Sequence, residues 1–185
     1  MTAPDVEVLD GGWLDRHALE VTVLRRTALG RDTTSDASRA RLVRTHARTP
    51  GCRVTAVHDA AGDLRAICYG FPLRPGQWWR DTVAGALGAP LAQRWLSDAV
   101  EVAELHVHPD DEGAGVGRAV LHAFLVDTGC SRVALSTHDA ATRARAFYER
   151  AGFSVLRGGV TFPGDPQPYA LLAADLPLDL GQAHR

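Results

Sequence analysis

The spacing of apolar residues along the chain predicts alternating helices and strands over most of its length. Stretches with apolar residues three and four apart indicate amphipathic helices, and short runs rich in β-branched and aromatic residues indicate strands. Gly30 and Gly152 follow two of the helical stretches, where glycine commonly ends a helix. Helices are predicted at residues 14–29, 35–48, 115–127 and 140–150, and strands at 6–9, 52–58, 64–73, 99–107, 132–136, 153–162 and 169–176.

This order of elements indicates a mixed α/β fold in one domain. A doubly wound dinucleotide-binding fold is excluded because it would alternate strand and helix throughout. Residues 74–98 form the irregular part and hold three of the four Trp residues. A connection of this length carries either a function or short helices of its own. We expect a single domain over residues 4–178 and a C-terminal tail over 179–185.

Composition and charge exclude two further classes of function. The chain has 185 residues, is 45% hydrophobic, and carries 20 basic against 22 acidic residues. This balance argues against a nucleic-acid binder, which would need a large basic field. No apolar run approaches the roughly 20 residues of a membrane span, and the acidic N-terminus does not resemble a signal peptide. We therefore expect a cytoplasmic protein that binds neither nucleic acid nor membrane.

Two residue types limit the chemistry. Every basic residue other than histidine is Arg, so mechanisms that need a phosphate-loop or Schiff-base lysine are excluded. Cys52, Cys68 and Cys130 are too far apart for a CxxC metal or redox site, and we expect them to be reduced structural thiols. His106 and His108 form an isolated HxH pair without a third ligand nearby, so no metal site is predicted.

The most informative segment is VAELHVHPDDEGAGVGR at residues 102–118, in which a predicted strand leads through alternating glycines into a helix. Gly113, Gly115 and Gly117 allow a ligand to approach the backbone closely. The helix N-terminus behind them adds partial positive charge, and Arg118 adds a full one. The segment therefore predicts a phosphate or pyrophosphate site, against the alternative of a glycine-rich turn that binds nothing. A Walker A motif would need lysine, and a GxGxxG fingerprint would need glycine at Arg118.

A second segment lies about 30 residues further on, at ARAFYERAGF, residues 144–153. The predicted helix places Ala141, Ala144, Tyr148 and Ala151 along one stripe before it ends at Gly152. Taken alone, Tyr148 is more readily explained as a core aromatic residue than as a catalyst.

Together, the two segments resemble the GNAT (GCN5-related) N-acetyltransferase superfamily. The family's Q/R-x-x-G-x-G/A loop corresponds to residues 112–117, and its A-x-x-x-Y-x-x-x-G-F helix end corresponds to residues 144–153. The preceding L-x-V-x-P also fits, at Leu105, Val107 and Pro109. The resemblance implies a mixed sheet, with splayed fourth and fifth strands, flanked by helices. It also implies transfer of an acetyl group from acetyl-CoA to an amine by direct attack on the thioester.

The resemblance implies roles for individual residues as well. The backbone of Leu105, His106 and Val107 would hydrogen-bond the pantetheine arm, and Tyr148 would protonate the leaving thiolate. The pyrophosphate would be held by the loop residues Glu112, Gly113, Ala114, Gly115, Val116, Gly117 and Arg118.

This chain departs from the family pattern at three positions. Glu112 stands where Gln or Arg is usual, and Ala114 stands where Arg is frequent. Both differences lower the positive charge beside the predicted pyrophosphate site. Ala141 replaces an Asn often found seven residues before the Tyr.

Acetylation of an amine requires a base, because an alkylamine with a pKa of about 10 is protonated at neutral pH. Glu101 and Glu104 lie on the predicted fourth strand and, by simple alternation, point to opposite faces. Glu101 matches a frequent family glutamate six residues before the strand's Val, and Glu104 is nearer the splay. The sequence leaves the choice open, with His106 as a third candidate. We expect at least one of the two glutamates to be a solvated carboxylate at the sheet edge.

The acceptor is expected to lie against residues 74–98 and the first helices. Phe71, Trp78, Trp79 and Asp81 suggest an aromatic, partly acidic pocket for a cationic or aromatic amine, on a small molecule or a protein. The Trp pair is equally well explained by packing of this segment on the sheet.

Other functions remain open: a CoA-binding module without turnover, an interaction domain without CoA, and an enzyme that transfers a longer acyl chain. A homodimer is a further expectation, since dimers are common in the family.

Overall fold

The computed structural model describes residues 4–30 and 35–178, and the predicted tail at 179–185 lies outside them. Most predicted elements are present, and strand β4 has its predicted bounds. The elements run in the order β1 (Glu7–Asp10), α1 (Gly11–Arg16), α2 (Ala18–Leu29), α3 (Asp36–Ala47), β2 (Arg53–His58), β3 (Leu64–Pro72), α4 (Trp78–Leu87), α5 (Ala89–Leu96), β4 (Ala99–Val107), α6 (Val116–Leu125), β5 (Arg132–His138), α7 (Arg143–Arg150), β6 (Ser154–Phe162) and β7 (Asp165–Asp175).

The chain divides into two compact units. The first holds the described part of Met1–Phe71 together with Val102–Val126, and the second holds Pro72–Glu101 and the described part of Asp127–Arg185. Strand β4 contributes its first three residues to the second unit and the rest to the first. The strand order of this mixed seven-stranded sheet is β1-β2-β3-β4-β5-β7-β6.

In the first unit, β2 is covered on both faces. It pairs antiparallel with β1 and with β3, so that Thr55 lies opposite Val8 on one side and Cys68 on the other. Val54 and Ala56 join the core formed with α1, α2 and α3. The alternate residue Thr55 points to α6, where its hydroxyl donates to the carbonyl of Val120 at 2.7 Å. Burial on both faces explains why this strand lacks the alternation of polar and apolar residues.

The predicted helix at 14–29 is divided into α1 and α2 at His17. The backbone of His17 has φ −100° and ψ 15°, outside the helical range, and its Nδ1 lies 2.8 Å from the carbonyl oxygen of Trp13. Asp10 caps the start of α1 by accepting from the N–H of Trp13 at 2.9 Å. The predicted end at Gly30 is confirmed, since this residue is left-handed with φ 65°.

In the second unit, β5 joins a parallel and an antiparallel neighbour. Ala99–Glu101 of β4 pair in parallel with residues 132–134, and β7 runs antiparallel to both β5 and β6. The segment predicted as irregular, residues 74–98, is mostly helical: α4 and α5 meet at Gly88, where φ is 78°. Both helices are amphipathic and contribute Val83, Leu87, Ala92 and Leu96 to a core with β5, β6 and β7.

Two predicted starts in this unit were wrong by three residues or more. Helix α7 begins at Arg143, because the Thr142 side chain caps it by accepting from the N–H of Arg145 at 3.1 Å. Ala141 therefore precedes the helix and is not part of the predicted stripe. Strand β7 begins at Asp165, four residues before the predicted start, because it pairs with β6 down to the turn.

Candidate active site

The loop between β4 and α6 has the backbone that its glycines predict. Gly113 and Gly115 have φ of 78° and 85°, in the left-handed region that other residues rarely adopt. A Cβ added at either position would meet nothing within 4 Å. The backbone is therefore open to a ligand at both glycines.

The first backbone N–H groups of α6 are further hydrogen-bond donors at the N-terminus of the helix. The first intrahelical bond runs from the N–H of Ala119 to the carbonyl of Gly115, at 3.0 Å. The amides of Val116, Gly117 and Arg118 precede it, and such amides give a helix N-terminus its partial positive charge. Open glycines followed by a ten-residue helix suit an anionic group such as a pyrophosphate.

An acidic turn precedes these glycines and is paired with an arginine from β3. Asp110 and Asp111 lie in a short 3₁₀ turn, Pro109–Asp111. The Nε of Arg65 donates to Asp111 at 2.7 Å, and its Nη2 lies 3.4 Å from Asp110. The sequence did not indicate Arg65, because the pairing joins residues about 45 positions apart.

Glu104 belongs to a buried polar cluster in the first unit. Its carboxylate forms an ion pair with Arg39 of α3 and lies 3.0 Å from Nε2 of His106. Burial, together with the positive charges of Arg25 and Arg39, lowers the pKa of His106 to about 3. The imidazole is therefore neutral at pH 7. Because an ionised carboxylate only accepts, we assign the imidazole proton to Nε2.

Glu101, in the second unit, has a different environment. Among the described residues, its Oε2 is buried and has no hydrogen-bond partner. Burial raises the pKa of this carboxyl to about 8. A carboxyl that retains its proton to near neutral pH has the affinity a general base needs there.

The expectation that one of these glutamates is solvated was wrong. Glu101 and Glu104 are 6% and 7% exposed. Strand β4 lies between β3 and β5 in the sheet, so neither position is on an edge strand. The two differ in partners rather than in burial, a distinction that strand alternation could not reveal.

Tyr148 lies on α7 in the second unit and is buried. Its ring packs edge-on against Phe147 and Phe153, with centroids 5.1 and 5.4 Å away. The carbonyl of Tyr148 accepts from the N–H of Phe153 at 3.0 Å, which ties the helix end to the following strand. These contacts fix the ring of the residue predicted to act as the acid.

The residues predicted to bind the acceptor have separate environments. Trp79 donates its indole N–H to Ser136 at 3.1 Å, whereas Trp78 is 60% exposed. Asp81 accepts from the N–H of Gly76 at 2.9 Å and pairs with an arginine, so its carboxylate stabilises the start of α4. Phe71 is buried in the first unit, with its ring 5.7 Å from that of His46.

Trp78 begins an aromatic row that the sequence did not indicate. Its ring lies 5.7 Å from Phe162, which lies 5.1 Å from Tyr169, which in turn stacks on His138 at 4.7 Å. The Tyr169 hydroxyl donates to Asp165 at 2.7 Å. The row joins α4, β6, β7 and β5, so its residues are distant in sequence.

Two kinds of feature, a metal-binding cluster and a membrane-spanning helix, are absent from the described residues. Across residues 4–30 and 35–178, no three His, Cys, Asp or Glu side chains lie together in a way that could hold a metal ion. Within the same ranges, no helix is long and apolar enough to cross a membrane. The three cysteines are free thiols.

Comparison with known proteins decides the family. The acetyltransferase (GNAT) domain family matches residues 77–155. A GCN5-like protein acetyltransferase of Mycobacterium tuberculosis is 32% identical over 175 residues, which cover 90% of this chain and 76% of that protein. The chain belongs to the GNAT acetyltransferases. The predicted family and the acyltransferase class of this GNAT protein are thereby confirmed.

Solved structures agree with this GNAT fold. A protein described as an acetyltransferase of the GNAT family, from Desulfovibrio desulfuricans, has a TM-score of 0.67 at 18% identity and covers 94% of this chain and 99% of its own. A Salmonella typhimurium structure, described as an acetyltransferase with its cofactor acetyl-CoA, has a TM-score of 0.62 at 13% identity and covers 100% and 98%. At these identities the likeness supports the fold alone.

Proposed function

We propose that this GNAT protein transfers an acetyl group from acetyl-CoA to a primary amine of a small molecule or a protein. The observation that carries the proposal is the buried Glu101 carboxyl, whose pKa is raised to about 8 and whose Oε2 has no partner among the described residues. A structural carboxylate would be expected to have its ion pair or its hydrogen bonds satisfied.

The glycine loop and the start of α6 support acetyl-CoA as the donor. The open backbone at Gly113 and Gly115 and the amides of α6 would hold the pyrophosphate. Acetyl-CoA would supply an acetyl group activated as a thioester. That the Salmonella typhimurium structure contains acetyl-CoA is consistent with this donor.

Among the three candidates for the base, we favour Glu101. Glu104 is held by Arg39 and His106, so its negative charge is already neutralised within the protein. The pKa of His106, lowered to about 3, makes this imidazole a poor proton acceptor at neutral pH. Glu101 would take one proton from the acceptor ammonium, directly or through water, and the neutral amine would attack the thioester carbonyl. As the C–S bond breaks, Tyr148 would donate a proton to the leaving thiolate, and the second proton lost by the nitrogen would return to Tyr148.

The aromatic row supports an acceptor with aromatic or cationic character. Trp78 is exposed at one end of it, and Asp165 lies beside Tyr169. Hydrogen bonds from the Gln167 amide and the Tyr169 hydroxyl lower the pKa of Asp165, so it stays ionised. A carboxylate beside stacked rings favours a cation. In this proposal Asp165 replaces Asp81, whose carboxylate is engaged at the start of α4.

One observation supports a second function, which is CoA binding without turnover. Glu112 and Ala114 both lower the positive charge of the loop relative to the family pattern. Such a protein would bind acetyl-CoA but release no thiol with any acceptor.

The test is acetyl transfer to a panel of aliphatic, aromatic and polycationic amines and to lysine peptides. Thiol release and the mass of the acetylated product are both measured. Tyr148→Phe is the matched variant, since it removes only the hydroxyl and keeps the buried ring. We expect product with the wild type and at least about a hundredfold lower turnover in the variant. Binding without product across the panel would favour the second function.

A further inference from the structure

We infer that Arg65 is a positioning residue for the acetyl-CoA pyrophosphate, which it serves by neutralising the two aspartates that precede the glycine loop. The inference rests on the proposed function, since it assigns Arg65 a part in donor binding at that same loop.

Three contacts of Arg65 reach one short segment. Its carbonyl accepts from the N–H of His108 at 2.8 Å, its Nε donates to Asp111 at 2.7 Å, and its Nη2 lies 3.4 Å from Asp110. Arg65 therefore links β3 to the segment between the end of β4 and the glycines, through both its backbone and its side chain.

A cavity of about 400 Å³ places this arginine near the start of α6. Its lining includes Arg65, Asp111 and Val116, the first residue of the helix. Asp111 of the acidic turn and the first residue of α6 thus line the same cavity, within one unit of the chain.

Charge explains why such a residue is needed. Asp110, Asp111 and Glu112 are consecutive acidic residues directly before Gly113. Without a counter-charge they would repel a phosphate group at the loop. The Arg65 side chain is 21% exposed and that of Asp111 is 31% exposed, so this pair is less screened by solvent than an open surface pair.

The first experiment measures KM and kcat for acetyl-CoA in the wild type, Arg65→Gln and Arg65→Lys. We expect Arg65→Gln to raise KM for acetyl-CoA about tenfold with little change in kcat, and Arg65→Lys to restore part of the loss. The increase should be largest at about 0.01 M ionic strength and nearly absent at about 1 M, where the Debye length is about 3 Å.

A truncated donor separates charge from a general structural effect. S-acetylpantetheine carries the same thioester but lacks the nucleotide and the pyrophosphate. Its KM should be unchanged in Arg65→Gln. An equal rise with both donors would overturn the inference, because it would mean that the substitution distorts the site as a whole.

Removing the opposing charges gives the converse test. In the triple variant Arg65→Gln, Asp110→Asn, Asp111→Asn, the affinity for acetyl-CoA should return to within about twofold of the wild type. If the affinity of the triple variant for acetyl-CoA stays low, Arg65 does not act by neutralising the two aspartates. Arg132→Gln is the matched control, since Arg132 is also a half-buried strand arginine, and its Nε lies 3.2 Å from Asp175. No change in KM is expected there.

The outcome for Arg65 can be distinguished from the outcome for the proposed function. If the wild type does not bind acetyl-CoA, the proposed function fails and the inference fails with it. If the wild type binds and transfers while Arg65→Gln is indistinguishable from it at low salt, only the inference is lost.

Discussion

Glu101 and Glu104 are equally buried and differ in the side chains that contact their carboxyl groups. Both lie on β4 and both are buried, but Arg39 and His106 occupy the carboxylate of Glu104. Burial disfavours the charged form of Glu101 and raises its pKa, and its Oε2 has no hydrogen-bond partner among the described residues. The residue with fewer contacts is therefore the better candidate base.

The pH dependence of turnover tests this assignment. Because Glu101 must lose its proton to act as a base, kcat should rise with pH and level off above about 8. Two acceptor amines of different pKa separate the protein group from the acceptor, because a step that belongs to Glu101 stays near pH 8 with both. In Glu101→Gln, turnover should fall by about a hundredfold or more and the step near pH 8 should disappear. Glu104→Gln serves as the comparison. If the rise of kcat near pH 8 is lost in Glu104→Gln and retained in Glu101→Gln, the base is Glu104 and the assignment is wrong.

At the scale of elements, close approach between helices depends on single glycines. A Cβ added at Gly11 would lie 2.1 Å from the backbone oxygen of Ala47 and 3.3 Å from the side chain of Cys52. The start of α1 therefore contacts the end of α3 where no side chain fits. At the neighbouring Gly12, the nearest atom would be a carboxylate oxygen of Asp10 at 3.2 Å, on a side chain that can move.

Substitution of these adjacent glycines by alanine forms a matched pair. Gly11→Ala should lower the free energy of unfolding by about 2 kcal/mol or more, since backbone would have to shift. Gly12→Ala should change it by less than about 1 kcal/mol. Urea denaturation of both variants measures the difference. Equal stabilities would show that the contact between α1 and α3 is not tightly constrained.

Local signals predicted most elements, and the site residues that they missed depend on contacts between distant residues. The strand at residues 99–107 had its predicted bounds because Pro109 and the glycines limit it locally. Periodicity could not reveal the break at His17, since α1 and α2 continue one apolar pattern. For the candidate site, the sequence predicted the loop, Tyr148 and both glutamates. It could not predict Arg39 or Arg65, because each contacts residues more than 40 positions away.

At the scale of the whole molecule, three buried groups with large pKa shifts make stability depend on pH between about 4.5 and 8. Burial, with the charge of Arg39, lowers the pKa of His46 to about 4, and the pKa of His106 is lowered to about 3. Both imidazoles are neutral in the folded protein at pH values where the unfolded chain binds protons, below about 6.5. Glu101 has the opposite effect on stability. The folded protein keeps the proton of this carboxyl between pH 4.5 and about 8, where the unfolded chain has lost it.

These groups predict a stability maximum near pH 6.5. Between pH 4.5 and 6.5 the unfolded state binds two histidine protons and the folded state one carboxyl proton, a net difference of one. Stability should rise there by about 1.4 kcal/mol per pH unit and then fall by a similar slope toward pH 8. Urea titrations across this range measure both limbs, and Glu101→Gln should abolish the alkaline fall. A maximum at or above pH 8 would contradict these environments.

The most direct test of the central claim, acetyl transfer from a CoA thioester held at the glycine loop, is a calorimetric titration of acetyl-CoA. Gly115→Trp would place a bulky side chain over the open backbone. Gly129→Trp is its matched control, because both glycines are left-handed, with φ of 85° and 70°, and neither has an atom within 4 Å of an added Cβ.

We predict that the wild type and Gly129→Trp bind acetyl-CoA with similar affinity and that Gly115→Trp does not bind. Thiol release on addition of an acceptor amine should follow the same pattern. If the wild type fails to bind at millimolar acetyl-CoA, or if Gly115→Trp binds as well as Gly129→Trp, the loop is not the donor site and the account is wrong.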